Sequence, residues 1–479
     1  MEQCDVILTG GTVIDGSGSA GFKADVAVKG DQIVAVGDCV GWQADQVLDA
    51  SGQIVSPGFI DVHTHDDVAV IKTPDMPFKI SQGVTTIVAG NCGISAAPFT
   101  PCDGLPPPFT LNLAEHAYTY PNVDAYRQAV QKAAPAVNVA MLAGHSSLRA
   151  NVMKTDLNRP ATDAEITQMS ETLDLALRQG CIGLSSGLDY PPAFEAPMQE
   201  MITLAKTLGA HPNSVYTSHM RDEGDFLVQS VIETIETGRQ AKANVVISHH
   251  KCAGKANYGK SIKTLKIIAE AQKTQKVSLD VYPYVASSTA LIQRFVKDAT
   301  EVKISWSSPH PEMGGRMLDD IANEWGITRE EATDRLHPAG AIYFDMDEGD
   351  LQRIIAFPTS MIGSDGIPGA EKPHPRLWGT FPRVLGHYAR DLGIISLAQA
   401  VHKMTGMSAA NFGLKDRGLV RQGLKADLVI FDADTVIDTA TFDDPERPAK
   451  GISHVLVNGQ VSLTGGTQTR IRAGQFVSH

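Results

Sequence analysis

The sequence is poor in several features, and each shortage argues against a class of protein. Only six of its 479 residues are cysteines, with no Cys-x-x-Cys pair, so we expect reduced thiols and no disulfide framework. The 41 Lys and Arg are outnumbered by 54 Asp and Glu, and the net charge of −13 would repel nucleic acid and anionic lipid. No apolar run reaches the roughly 18–20 residues that span a bilayer, and the start has no signal-like pattern. We therefore expect a cytoplasmic protein whose partner is a small molecule, not nucleic acid or a membrane; the oligomeric state stays open.

Both ends of the chain alternate apolar and polar residues between glycine-containing turns. This pattern covers residues 1–58 and 415–479 and is typical of short antiparallel strands. A single core seldom grows beyond roughly 250–300 residues, so a chain of this length should contain more than one unit. We predict that the two ends join into one small β-sandwich domain.

The middle of the chain, residues 59–414, alternates β-branched apolar runs with segments of helical period, which is typical of βα units around a parallel sheet. The fold class is therefore expected to be α/β, a catalytic (β/α)8 TIM-type barrel. Its eight predicted strands are 59–65, 84–92, 137–145, 182–190, 214–220, 244–250, 277–284 and 360–366. Helices are predicted at 124–134, 163–179, 197–208, 224–238 and 260–275.

One connection, between the seventh and eighth strands, is about seventy residues long. It contains the segment 286–350, with two helix candidates, MLDDIANEWG and REEATDRLH. A long connection with its own structure is commonly a lid or a specificity element. We expect an insertion that covers the active site near the barrel mouth.

Side chains that bind metals stand at the ends of five predicted strands, where barrels of this type place their active sites. A single His or Cys is most often structural, but this coincidence is hard to obtain by chance. His63 and His65 are two residues apart, so both point to the same side of their strand. Imidazole, thiolate and carboxylate together suit Zn²⁺ and leave a position for water. The candidate ligands are His63, His65, Cys92, His219, His249 and Asp365.

Longer motifs resemble the D-aminoacylase (N-acyl-D-amino-acid deacylase) family of the amidohydrolase superfamily. They are PGFIDVHTHDD, GNCG, SHM, SHHK, DVYPYVASST and IGSDGIPG followed by KPHPRLWGTFPRVLGHY, and the resemblance covers essentially the whole chain. It implies zinc-dependent hydrolysis of N-acyl-D-amino acids to a carboxylate and a free D-amino acid. It also implies one tight zinc on Cys92, His219 and His249, and a second, weaker site on His63, His65 and Asp365 that shares Cys92.

The resemblance also implies roles around the metal. Asp365 would be the catalytic residue, taking a proton from the attacking water and returning it to the leaving amine. Arg376 offers a bidentate fork for the α-carboxylate of the substrate. The matching positions for carboxylate and acyl contacts are His63, Tyr190, Lys251, Tyr282, Ser288 and Arg376, and those for an apolar side chain are Tyr343 and Met346.

The side-chain preference is open at this point. Arg294 and Lys297 stand where a cation could meet an acidic side chain, but we interpret them as exposed charges on an inserted helix and favour a hydrophobic or broad preference. The alternatives are an N-acyl-D-glutamate or N-acyl-D-aspartate deacylase, another amidohydrolase such as a cyclic amide hydrolase or a dipeptidase, and a metal-free scaffold. Preference for D over L substrates rests on the resemblance alone.

Overall fold

A parallel barrel forms the centre of the molecule in a computed structural model, which describes residues 2–109, 113 and 116–478. Its eight strands are hydrogen-bonded in chain order, and a bridge between Thr64 and Gly366 joins the first to the last. The strands are Phe59–Asp61, Val84–Ala89, Asn138–Gly144, Gly183–Gly187, Val215–His219, Asn244–Ile247, Val277–Val281 and Ser360–Ile362. The expected α/β barrel is confirmed, although its regular strands are shorter than the apolar runs.

The barrel strands are buried on both faces, which is why they appear in the sequence as continuous apolar runs. All six residues of Val84–Ala89, for example, are buried. The intervening helices follow the predicted periodicity, and Asp163–Arg178 begins with a capping box in which Thr162 and Glu165 bond each other's backbone N–H. The other predicted helices are observed as Val123–Ala133, Met198–Lys206, Leu227–Ala241 and Ser261–Ala271.

Further helical segments complete the barrel wall. The α-helices are Ala69–Lys72, Pro77–Ile80, His145–Met153, Glu348–Ala356, Arg376–Arg383, Leu397–Met404 and Gly406–Asn411. A π-helix, Val384–Asp391, continues Arg376–Arg383, and short 3₁₀ turns occur at His116–Tyr118, Thr207–Ala210, Lys255–Asn257 and Pro311–Met313. In the part of the chain that the structure describes, no helix has the length and apolar character needed to cross a bilayer.

The ends of the chain form two sheets outside the barrel: the first end contributes strands to both, and the last end contributes strands to one of them. Val6 and Leu8 of one sheet share an apolar core with Val55, Leu428 and Leu456 of the other. The four-stranded sheet has the order Gln32–Gly37, Asp25–Lys29, Gln3–Thr9, Gln43–Asp49. The seven-stranded sheet has the order Thr467–Gln468, Gln460–Thr464, Ile452–Val457, Leu428–Phe431, Ile54–Pro57, Thr12–Val13, Phe22–Lys23.

A segment near residue 475 closes the bottom of the barrel. The Val139 N–H donates to the Gln475 carbonyl at 2.8 Å, and the Val477 N–H donates to the Val139 carbonyl at 2.8 Å. Val477 is buried in the apolar cluster that fills the barrel interior, together with Leu142 and Val246. The open end of the barrel is therefore the carboxyl end of its strands.

The insertion is a small α+β unit with its own apolar core. Its antiparallel sheet places Ala339–Phe344 between Ala286–Ala290 and Glu301–Ser307. The two predicted helices are observed as Leu318–Trp325 and Arg329–Leu336, and a third is Gln293–Asp298. Leu318, Ile321 and Leu336 are fully buried in the core of this unit. None of the three strands was predicted. ASSTA has no strong β propensity, whereas EVKISWS and AGAIYF contain β-forming residues and could have been found.

Candidate active site

A cavity of about 460 Å³ opens at the carboxyl ends of the barrel strands, between the barrel and the insertion. Its floor is formed by His65, Cys92, His219, His249 and Asp365. The insertion lines its wall with residues that include Ser288, Arg294 and Phe295. The candidate ligands therefore lie where active sites of this fold are built.

Four predicted ligands form one compact group. Ligand atoms of His63, Cys92, His249 and Asp365 all lie within 4.8 Å of one another. Cys92 Sγ is 3.2 Å from His63 Nε2 and 3.4 Å from His249 Nε2. His65 Nε2 is 3.2 Å from Asp365 Oδ1, so His65 lies at the edge of this group.

Three of these residues have left-handed backbone conformations. The φ angles are 52° at Cys92, 33° at His249 and 50° at Asp365. Such conformations of non-glycine residues cost on the order of 1–3 kcal/mol each and persist only where the surroundings impose them. Each stands two or three residues after the end of a strand, and the Asp365 N–H donates to the His63 carbonyl at 2.8 Å. The turns at the strand ends therefore aim the three side chains at one point.

Asp280, on the seventh barrel strand, supports two ligands from below. Its carboxylate lies 3.2 Å from His63 Nδ1 and accepts the backbone N–H of His249 at 2.9 Å. A carboxylate on the far nitrogen of an imidazole fixes the ring and leaves the other nitrogen for a metal. Asp280 is part of the DVYPY motif, but its position in the sequence alone does not indicate this role.

His219, Glu223 and His249 form a second group, again within 4.8 Å. The His219 ring is buried, and neither of its nitrogens has a hydrogen-bond partner among the described residues. A buried imidazole without partners is costly unless it binds a ligand. A thiolate and two imidazoles from Cys92, His219 and His249 are a donor set that suits Zn²⁺, so these residues fit the expected ion.

The charges of the group favour a cation. Burial opposes ionisation of Cys92, yet His63 and His249 hold the pKa of its thiol well below the ordinary value, so that sulfur is a thiolate. Burial also opposes ionisation of Asp365, but Arg376 and His63 keep the pKa of its carboxyl well below the usual range. Burial would lower the pKa of His219, whereas Glu223 and Asp189 raise it to about 10.

Arg376 is fully buried beside the ligand group. Its Nη1 is 2.9 Å from Asp365 Oδ2, and its Nη2 donates to the Ser288 carbonyl at 2.9 Å. The guanidinium lies 4.5 Å from the centre of the Tyr282 ring. The Arg376 guanidinium therefore links the insertion, through Ser288, to the carboxylate of Asp365.

Four of the expected substrate residues do not line the cavity: His63 and Arg376 are buried beside Asp365, and Tyr343 and Met346 lie further away. Tyr343 is buried inside the insertion, where its hydroxyl donates to the Ala290 carbonyl at 2.7 Å and accepts the Ile292 N–H at 2.9 Å. Met346 lies behind Tyr282, with its sulfur 4.0 Å from the Tyr282 hydroxyl. Neither residue lines the cavity. Tyr190 does line it, with its ring 4.8 Å from that of His219.

Arg294 lies on the inserted helix with 41% of its side chain exposed, as interpreted, but it also contacts the barrel. Its Nη2 lies 2.5 Å from Asp189 Oδ1, and its guanidinium is stacked against Phe194 and Phe295. Arg294 and Lys297 both line the cavity. These contacts of Arg294 were not predicted, because a sequence does not show which side of a short inserted helix faces the barrel.

Glu223 and Asp189 were also missed by the sequence analysis. Each stands in a loop that follows a barrel strand, and each has an oxygen 3.8 Å from His219 Nε2. The only available signal was position: Glu223 is four residues after His219 in SHMRDE, and Asp189 belongs to GLDY. A lone acidic residue in a loop is usually solvated, so neither stood out.

Comparison with known proteins agrees with this geometry. The amidohydrolase family model matches residues 46–304 and 334–463. The chain is 51% identical over 460 residues to D-aminoacylase of Alcaligenes xylosoxydans xylosoxydans, covering 96% of this chain and 94% of that protein. A crystal structure of D-aminoacylase superposes with a TM-score of 0.96 at 51% identity, covering 99% and 100% of the two chains. The N-acyl-D-glutamate deacylase of Bordetella bronchiseptica, solved with zinc and a phosphonate mimic of the tetrahedral intermediate, has a TM-score of 0.95 at 42% identity, with full coverage of both chains (100% each).

The match to the family model covers most of the chain, and the similarity to D-aminoacylase extends over nearly its full length. Together with the cysteine-containing ligand group, these findings show that the chain belongs to the amidohydrolase family and, within it, to the D-aminoacylase branch.

Proposed function

We propose that this protein is a zinc-dependent enzyme that hydrolyses the amide bond of N-acyl-D-amino acids to a carboxylate and a free D-amino acid. The observation that carries the proposal is the grouping of ligand atoms of Cys92, His249 and Asp365, on the floor of the cavity, with His63 just behind them, all within 4.8 Å, and with Arg376 beside Asp365. The similarity to D-aminoacylase over 96% of the chain supports the same chemistry.

Cys92, His219 and His249 are the residues that would hold the tight zinc. When bound there, Zn²⁺ supplies Lewis acidity, which polarises an acyl carbonyl and lowers the pKa of water. His63, His65 and Asp365, sharing Cys92, would form the second, weaker site. Occupation of that site engages Asp365, so excess zinc is expected to slow the reaction.

Asp365 is the proposed base and acid. Its carboxylate is ionised in the resting site because Arg376 and His63 lower its pKa, so it is ready to accept a proton from the attacking water. The same carboxyl then returns that proton to the leaving amine. When Arg376 binds the α-carboxylate of a substrate, its ion pair with Asp365 weakens. The pKa of Asp365 then rises, and the carboxylate becomes a stronger base in the substrate complex.

The α-carboxylate of the substrate is proposed to bind Arg376, with Lys251, Tyr282 and Ser288 around it. Arg376 provides a planar fork that matches a carboxylate. When this carboxylate and the scissile carbonyl are both held in place, the side chain can project from the α-carbon in only one direction. Tyr190 and His63 stand near the acyl end.

The preferred side chain is proposed to be hydrophobic or broad, since Phe226, Phe295 and Ile367 line the cavity. A second candidate is an acidic side chain, as in an N-acyl-D-glutamate or N-acyl-D-aspartate deacylase. It is favoured by Arg294 and Lys297, which bring two cations to the wall of the same cavity.

Initial rates with N-acetyl-D-methionine, N-acetyl-D-glutamate and N-acetyl-L-methionine test the proposal on protein of measured zinc content. We expect turnover of a D-substrate that falls by at least about 10³-fold in Asp365→Ala, since one residue supplies both proton transfers. The ratio of the two D-substrates decides between the two side-chain preferences. Absence of turnover by zinc-loaded protein would reject the deacylase function.

A cytoplasmic location is also proposed. It is supported by six cysteines that are all unpaired in the described structure, as expected where thiols stay reduced.

A further inference from the structure

Glu223 is a buried carboxylate that contacts two predicted zinc ligands and a substrate-binding lysine. It stands in the loop after the fifth barrel strand, and its side chain is 10% exposed. Its Oε1 lies 3.0 Å from His249 Nδ1, and its Oε2 lies 3.8 Å from His219 Nε2. Both oxygens accept hydrogen bonds from Lys251 Nζ at 2.7 Å.

Two groups compete for the same nitrogen of His249. Lys251 Nζ lies 2.8 Å from His249 Nδ1, close to the 3.0 Å of Glu223. An ammonium group only donates, so Lys251 favours the tautomer with its proton on Nε2. A carboxylate only accepts, so Glu223 favours the proton on Nδ1.

The choice of tautomer decides whether His249 can bind a metal. Its Nε2 is the nitrogen that faces Cys92, at 3.4 Å. A protonated Nε2 has no lone pair for a metal, whereas a protonated Nδ1 leaves Nε2 free. Lys251, which is proposed to bind the substrate, therefore opposes metal binding by His249. Glu223 must favour the other tautomer more strongly for the metal to bind.

We propose that Glu223 is a positioning residue that selects the metal-binding tautomer of His249 and neutralises the opposing effect of Lys251. This inference rests on the proposed zinc site. Glu223 thereby allows Lys251 and the metal ligand His249 to lie side by side on the floor of the same cavity.

The first test measures zinc retention against a chromophoric chelator without substrate. Glu223→Leu removes the acceptor, and we expect it to lose zinc about 10–100-fold more readily than the parent. Glu223→Gln keeps a carbonyl acceptor, so its rate of zinc loss should lie between those of the parent and Glu223→Leu. The matched control is Glu233→Leu, which removes a partly buried carboxylate that pairs with Arg221 at 2.8 Å outside the site, and it should retain zinc like the parent.

The second test adds Lys251→Met. If Lys251 opposes the useful tautomer, Glu223→Leu/Lys251→Met should retain zinc better than Glu223→Leu alone. In the cobalt-substituted proteins, the visible spectrum reports the geometry of the metal ligands. The spectrum of Glu223→Leu should differ more from that of the parent than the spectrum of the double variant does. A purely structural role predicts that the double variant is at least as impaired as the single one, and that result would overturn the proposal.

Two further results would also overturn it: retention of zinc by Glu223→Leu at the parent level, and equal loss in Glu233→Leu. If Glu223→Leu does not fold, Glu223→Gln with and without Lys251→Met gives the same comparison. Because zinc retention is measured without turnover, inactivity of the parent toward N-acyl-D-amino acids would reject the proposed function while leaving this comparison valid.

Discussion

At the scale of single residues, the surroundings of each cysteine determine its reactivity. The neighbouring imidazoles make Cys92 a thiolate on the cavity floor despite its burial. Burial raises the pKa of the other buried thiols, Cys4, Cys39, Cys181 and Cys252, the last to about 12. Cys102 is half-buried. We therefore expect iodoacetamide to modify Cys92 and Cys102 in chelator-treated protein near neutral pH, as read by peptide mass spectrometry.

Added zinc should protect Cys92 and leave the modification of Cys102 unchanged, so Cys102 serves as an internal control. Equal labelling of Cys92 with and without zinc would contradict its role as a ligand.

A buried ion pair away from the site makes stability depend on pH. Glu200 is fully buried, with Arg149 Nη1 at 2.6 Å and His145 Nε2 at 2.8 Å. Although burial opposes it, these partners lower the pKa of Glu200 to about 2. The corresponding stabilisation, roughly 3 kcal/mol, is present above the unfolded-state pKa of about 4.3 and is lost as the pH falls toward 2.

Glu200→Gln should therefore lower the Tm at neutral pH, and the difference from the parent should shrink as the pH falls below about 4.3, where the unfolded chain binds a proton at Glu200 that the folded protein does not. Thermal melts of both proteins at matched pH values measure this. A difference in Tm that does not depend on pH would contradict the assignment.

At the scale of elements, the insertion is held together partly by the Tyr343 hydroxyl, which joins Ala290 and Ile292. Tyr343→Phe leaves two buried backbone groups unpaired, a cost of about 1–3 kcal/mol. We expect faster hydrogen exchange in residues 286–344 and an unchanged preference among N-acyl-D-amino acids. The control is Tyr126→Phe, which removes a bond to the Asp67 carbonyl outside the insertion. A changed preference without faster exchange would place Tyr343 in the substrate pocket.

The barrel was predictable because each strand is buried on both faces and flanked by an amphipathic helix. The grouping of the candidate ligands was predictable because they stand at strand ends, although Cys92, His249 and Asp365 lie just beyond the regular strands in left-handed turns. The sheet of the insertion was not predicted: its first strand, ASSTA, resembles a loop, and the other two, EVKISWS and AGAIYF, lie in a segment for which only helices were predicted. The supporting carboxylates, such as Glu223 and Asp280, were missed because their role depends on which ring nitrogen they face, and only the three-dimensional arrangement shows that.

At the scale of the whole molecule, zinc binding should stabilise the fold. An ion that binds only the folded state adds RT ln(1 + [L]/Kd), about 2.7 kcal/mol at one hundred times Kd. For a chain of this size we expect the Tm to rise by roughly 3 °C. Melts of chelator-treated protein with increasing zinc measure the shift, and Cys92→Ser is the control that should respond only weakly. A Tm that does not depend on zinc would argue against a site formed by the folded protein.

The seven-stranded sheet outside the barrel joins segments that are far apart along the chain, and this affects folding during synthesis on the ribosome. The side chains of Gln53 and Ser453 are hydrogen-bonded, although these residues are 400 positions apart. At the bottom of the barrel, Gln475 bonds to Asn138, 337 positions away. At about 5–20 residues per second, the first strands wait roughly 20–80 s for their partners to be translated. During that interval the nascent chain carries a partial sheet with open, apolar edges, which favours aggregation and engagement by chaperones.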